Sequence, residues 1–197
     1  VDGMADRSIL VDTFSKTYIM TGFRIGWCVA NKDLITTMDI FQQNSVTNVP
    51  AFVQLAALAA ITGPQDHVAE TTARLQAKRD KTVEALNKMP GIECPTPDGS
   101  FYVFPDIRGT GMTAQQFADH MIENYQVGVV AGSAFGDRGE GHIRLTYACP
   151  DEVLEEGLDR IRQLAPGVTR ADDGRAIPKH VAVEGMGEAH LDVRAVL

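Results

Sequence analysis

The sequence predicts an α/β protein, and three observations carry the prediction. Two short apolar runs of β type, Arg7–Asp12 and Phe23–Ala30, stand near the start. Helical periods fill most of residues 32–89. From residue 65 onward the elements follow in the order helix, strand, helix, strand, strand, helix, the order of a small α+β domain.

Each element has its own signal. Lys32–Gln43 reads as a helix, with Asn31 as N-cap and Leu34, Ile35, Met38 and Phe41 at helical spacing. Ser45–Pro50 is a break. Ala51–Ile61 is an Ala/Leu-rich helix ended by Thr62, Gly63 and Pro64. It is apolar on most faces, so it is expected to be buried. Gln65–Met89 is one long helical pattern, with Val68, Leu75, Val83 and Leu86 against a broad charged face; Pro90 and Gly91 end it.

Ser100–Phe104 is a β run whose aromatic residues are expected in the core. Thr113–Tyr125 is an amphipathic helix with Thr113 as N-cap and Phe117, Met121 and Ile122 expected to face inward. Val127–Val130 and His142–Ala148 are short strands. Asp151–Leu164 is a final helix with Leu154, Leu158 and Ile161 on one face. From Val168 the periodicity dissolves, and a disordered tail is expected over 168–197, with a strand at His180–Val183 left open.

Composition narrows the function classes. Of 197 residues, 44% are hydrophobic and 22% charged, ordinary values for a globular protein. The net charge of −8 and the absence of a basic stripe argue against nucleic-acid and anionic-membrane partners. The longest nearly apolar run, Ala51–Ile61, is too short to span a bilayer, and no signal-peptide pattern is present. Cys28, Cys94 and Cys149 are odd in number and far apart, which fits a reducing, cytoplasmic setting. Neither they nor the histidines have metal-ligand spacing, so no metal is expected.

The chemistry concentrates in the stretch from Thr13 to Gly26, which reads T-F-S-K-T-Y-I-M-T-G-F-R-I-G. Lys16 follows hydroxyl residues, and Arg24, eight positions on, is flanked by Gly22 and Gly26. An amine can form a Schiff base with an aldehyde cofactor, and a guanidinium fork can hold a phosphate. Lying close to strand ends, both residues occupy the region where open α/β sheets collect ligands. A second stretch runs from Gly132 to Gly136 (G-S-A-F-G) and from Gly141 to Ala148 (G-H-I-R-L-T-Y-A). Strand alternation puts His142, Arg144 and Thr146 on one face and Ile143, Leu145 and Tyr147 on the other.

These stretches, with P-D-G-S-F-Y-V-F at 97–104, resemble the motifs of fold-type-I pyridoxal-phosphate (PLP) aminotransferases, the class I/II or aspartate aminotransferase family. The likeness covers roughly residues 6–165 and implies the end of a large PLP-binding domain with a mostly parallel sheet, then a small α+β domain. The implied boundaries are 1–64 for the large domain, 65–89 for an interdomain helix and 90–167 for the small domain. In that family the lysine lies near or beyond mid-chain, so this chain is expected to be a C-terminal portion that does not turn over alone.

The resemblance also implies roles. Lys16 carries the cofactor and shuttles the α-proton, which calls for an amine of depressed pKa, lowered by burial and by a nearby arginine. Thr13 and Arg24 meet the cofactor phosphate, with Ser15 a further candidate. Arg144 holds the substrate α-carboxylate, and Asn48 reaches a neighbouring subunit's site in a homodimer. Ala131 departs from the family's usual proline. The expected reaction exchanges an amino group between an α-amino acid and a 2-oxo acid. A PLP-dependent lyase on the same fold and a non-catalytic effector-binding domain are the alternatives.

Overall fold

The computed structural model describes residues 3–164, and the expectations for 168–197, including the strand at His180–Val183, lie outside the described residues. The chain divides at Thr72/Ala73 into two compact units.

The first unit is built on an antiparallel strand pair. β1 (Leu10–Thr13) pairs β2 (Gly26–Val29) in the register Leu10–Val29, Val11–Cys28, Asp12–Trp27 and Thr13–Gly26. The connection, residues 14–25, folds back on itself instead of crossing over a sheet. Every strand pair among the described residues is antiparallel, so these residues do not build the mostly parallel sheet expected of the large domain. A parallel neighbour needs a long crossover, and none is present here.

The turn opens with a short helix, α1 (Phe14–Thr17). α2 (Lys32–Ser45) starts where the sequence places it, with the Asn31 side chain accepting the Leu34 N–H at 2.9 Å. α3 (Ala51–Thr62) is not the fully buried helix that its composition suggests. Its alanine side is covered: Ala57 is buried against Phe14 and Met20, with Ala56 and Ala60 beside them. Phe52, Leu55, Leu58 and Ile61 stay exposed, Phe52 at 71%. An all-apolar helix is buried only where partners exist, and among the described residues α3 has them on one side.

α4 (Asp66–Asn87) becomes more buried along its length, and in the second unit Thr82, Val83, Ala85 and Leu86 are core residues. The sheet has strand order β3 (Tyr102–Val103), β5 (Ile143–Thr146), β4 (Val130–Ala131), all antiparallel. The two outer strands are shorter than the sequence suggests, because Pro97 and Pro105 flank one and the turn after Tyr125 displaces the other. α5 (Ala114–Tyr125) and α6 (Asp151–Arg162) pack on the same core as Val103, Ile143 and Leu145. Thr113 caps α5 in a capping box: its hydroxyl takes the Gln116 N–H at 3.2 Å while Gln116 Oε1 takes the Thr113 N–H at 3.0 Å.

Two inward expectations do not hold in full. Ile122 is 43% exposed, because it lies about a quarter of a turn from the centre of the buried stripe of Ala114, Phe117, Ala118 and Met121, beyond its Ala118 edge. The aromatic residues of 100–104 only partly meet the expectation; Val103 fills the core with half-buried Phe101 packed against it, while Tyr102 is half-buried and Phe104 is exposed.

Two interactions tie the second unit together electrostatically. Lys78 Nζ donates to the Cys149 carbonyl at 2.5 Å and pairs with Asp151 at 2.9 Å, joining α4 to the start of α6. Arg108 hydrogen-bonds Asp106, and those bonds hold its carboxyl below the usual aspartate range.

Two predictions follow from this packing. Phe117→Ala should cost roughly 3–5 kcal/mol and Ile122→Ala within about 0.5 kcal/mol, read from urea midpoints at unchanged slope. Because the folded Asp106 pKa is depressed, its stabilisation is present above the ordinary aspartate value of about 3.9 and is lost as pH falls through the lower folded value. Asp106→Asn should therefore flatten the acid limb of the stability profile without changing the slope above neutrality.

Candidate active site

Four of the sequence-predicted residues fall on one turn. Thr13 closes β1 and is the N-cap of α1, its Oγ1 accepting the Ser15 N–H at 3.3 Å. Lys16 lies on α1, exposed, so the burial expected to act on its amine does not come from these residues. The chain then returns through hydrogen bonds that fold it over Phe14: Met20 N–H to Phe14 O at 3.4 Å and Phe23 N–H to Met20 O at 3.1 Å. Phe14 N–H reaches Ile25 O at 3.3 Å, next to the Thr13–Gly26 pair.

Gly26 is required here. A Cβ on it would lie 2.7 Å from the Asp12 carbonyl oxygen, so any side chain would push the strands apart. With that pair closed, Lys16 is three residues after Thr13 and Arg24 two residues before Gly26. The sequence spacing thus becomes spatial convergence on one strand end.

Arg24 adopts φ 53° and ψ 48°, the left-handed region that costs a non-glycine residue about 1–2 kcal/mol. Its Nη1 donates to the Thr21 carbonyl at 2.9 Å. The guanidinium pairs with no carboxylate among the described residues. Strain of this kind persists where surrounding structure over-determines it, and it clusters at ligand clamps.

Tyr18 anchors the far side of the turn. Its ring packs on Phe14 (centroids 5.4 Å) and His67 (5.9 Å), and its hydroxyl donates to Gln65 Oε1 at 3.2 Å. Gln65 in turn donates to the Ala60 and Gly63 carbonyls, tying the Lys16 turn to the end of α3. No periodicity in the sequence marks Tyr18, which acts by tethering a loop.

Asn48 stands outside this turn, exposed in the loop between α2 and α3, beside Thr47 at φ 69°. Arg144 belongs to the second unit, on β5 opposite Val130. The expected alternation holds for Ile143, Leu145 and Tyr147, all buried; on the other face His142 and Arg144 are half-buried and Thr146 is buried, donating to the Phe101 carbonyl at 3.2 Å.

The loop before β5 is interlocked by two glycines. A Cβ on Gly139 would fall 1.9 Å from Gly132 O, and one on Gly132 would fall 2.2 Å from Gly139 O. Gly132 N–H also bonds the His142 carbonyl at 2.8 Å. Ala131, where the family usually has proline, holds φ −58°, the angle a proline ring would impose. Sequence reasoning missed Tyr102 and Phe135, both within reach of Arg144. No local signal marks them: Tyr102 reaches the Arg144 face only through its pairing with Thr146 on β5.

The donor set on the first turn suits a phosphate. It offers two hydroxyls, from Thr13 and Ser15, and the Arg24 guanidinium, which has no acidic partner among the described residues and gives only one hydrogen bond to Thr21 O, and Gly22 leaves open space where a side chain would stand. Lys16 supplies an amine on the same turn.

Residues 1–161 match the family Aminotransferase class I and II. The chain is 38% identical over 164 residues to an aspartate aminotransferase of Pyrococcus horikoshii, covering 82% of this chain and 42% of that protein. It is 38% identical over 166 residues to an aromatic-amino-acid aminotransferase of Thermococcus litoralis, covering 83% and 42%. The crystal structure of an aromatic aminotransferase from Pyrococcus horikoshii superposes with a TM-score of 0.80 at 39% identity, over 83% of this chain and 44% of that one. The chain belongs to the class I and II aminotransferases, a family whose cofactor is pyridoxal 5'-phosphate. It spans less than half the length of the curated relatives it matches.

The interlock makes a test. Gly139→Ala should cost roughly 1–3 kcal/mol, since the new methyl meets backbone that cannot yield without opening the loop. A urea midpoint equal to the parent's would show that the loop tolerates the methyl.

Proposed function

We propose that the protein carrying this chain is a pyridoxal-phosphate-dependent aminotransferase that moves an amino group between an α-amino acid and a 2-oxo acid. The observation that carries the proposal is the Thr13–Gly26 closure, which gathers Lys16, Thr13, Ser15 and Arg24 at one strand end. Family membership and relatives named aspartate and aromatic-amino-acid aminotransferases support it.

The bound cofactor supplies a carbonyl for the amine and a ring that withdraws electrons from the substrate α-carbon. Lys16 Nζ would hold the cofactor covalently and, once displaced by the amine of the substrate, would take the α-proton and keep it for return. Arg24 and Thr13, with Ser15, bind the phosphate. Arg144 binds the substrate carboxylate through its fork; decarboxylation, which must release that group, is disfavoured by such a grip. Asn48 contacts substrate across a homodimer, a reading supported by its exposure in a loop. A cytoplasmic setting is supported by three free cysteines, Cys94 among them buried, its thiol pushed up to about 11 by that burial.

Borohydride reduction of the protein loaded with pyridoxal phosphate, followed by peptide mapping, tests the assignment of Lys16. A pyridoxyl group on Lys16, lost in Lys16→Ala, is expected, together with amino-group transfer to a 2-oxo acid. Labelling of another lysine would overturn the site, and release of free ammonia in place of transfer would favour a lyase.

A further inference from the structure

Arg144 lies among rings. The central carbon of its guanidinium is 4.3 Å from the centroid of the Tyr102 ring and 4.8 Å from that of Phe135. Both distances are well inside the range of a cation–π attraction. Tyr102 comes from β3, whose pairing to β5 sets it diagonal to Arg144. Phe135 ends the turn Gly132–Phe135 and is exposed, an unusual placement for a phenylalanine in an otherwise well-packed unit.

The same guanidinium forms no ion pair among the described residues, although the chain carries 26 acidic side chains. Arg79, Arg108, Arg160 and Arg162 each pair with a carboxylate. Arg144 is thus held by contacts that use the π-faces of its neighbours and consume none of its N–H donors. A carboxylate from the protein would have held it too, but would have spent the fork.

The backbone that carries the second ring is fixed. Gly132 and Gly139 interlock on either side of Phe135, and Phe104 packs edge-on to Phe135 with centroids 6.0 Å apart. Phe104 is itself stacked on His142, at 5.2 Å and 9°. The rings therefore form a continuous row along the solvent face of the sheet, with Arg144 inside it.

We propose that Tyr102 and Phe135 are positioning residues that pre-set the Arg144 fork for the α-carboxylate of the amino-acid substrate. This rests on the transamination reading and adds two residues to it. Pre-setting removes rotamer entropy that a free arginine would lose on binding, so the rings act on carboxylate affinity. They contribute nothing to a substrate that lacks the carboxylate.

The test compares matched pairs of amines on the loaded protein, following the cofactor's absorbance in single turnover. L-Alanine is set against ethylamine, and L-phenylalanine against 2-phenylethylamine, each pair differing by the α-carboxylate. Tyr102→Leu and Phe135→Leu should each raise the half-saturating amino-acid concentration by roughly 3- to 30-fold. Tyr102→Phe, which keeps the ring, should restore it. The rate with the carboxylate-free amines should be the same in all variants. Unchanged half-saturation in both leucine variants, or an equal loss towards the carboxylate-free amines, would overturn the proposal. Failure of the parent protein to react with either amino acid would instead overturn the transamination reading.

Discussion

The closure of Thr13 on Gly26 is the constraint from which the candidate cofactor site follows. A two-stranded antiparallel ribbon is marginal by itself. Here it is closed at one end by a glycine that lets a carbonyl approach, and braced by Phe14 and Met20 seated on the alanine side of α3. Open that end, and Lys16 and Arg24 become two unrelated charges in a flexible loop. The left-handed backbone at Arg24 is tolerated for the same reason: the chain must return to Gly26 within two residues.

The second unit solves a similar problem by other means. Its arginine is placed by a strand, then steadied by rings instead of by charge. In a chain of net charge −8, four arginines are engaged by carboxylates, while Arg24 and Arg144, like Arg7, Arg74 and Arg138, form no ion pair among the described residues. A guanidinium with no acidic partner and spare N–H donors is suited to an anionic ligand, a phosphate at Arg24 and a carboxylate at Arg144.

Much of this was legible from residues alone. Asn31 and Thr113 announced helix starts because a capping side chain is a local device, settled within three residues. Leu154, Leu158 and Ile161 announced a buried face because helical period is local too. The Lys16 and Arg144 motifs were recognisable as strings. Whatever depended on distant partners was not legible. The composition of α3 could not reveal that only its alanine side has neighbours, nor could Ile122 reveal that the core is centred about a quarter of a turn away. Tyr102 looked like core because its role is defined by a pairing register, and register is fixed by the whole sheet. Apolar runs likewise mark strands without saying which way a neighbour runs.

A crystal structure of the protein loaded with pyridoxal phosphate tests the central claim most directly. The account predicts continuous density from the cofactor to Lys16 Nζ, with phosphate oxygens in hydrogen-bond reach of Arg24 and Thr13 and the Thr13–Gly26 pair intact. A cofactor bound elsewhere, or a phosphate held without Arg24, would contradict it.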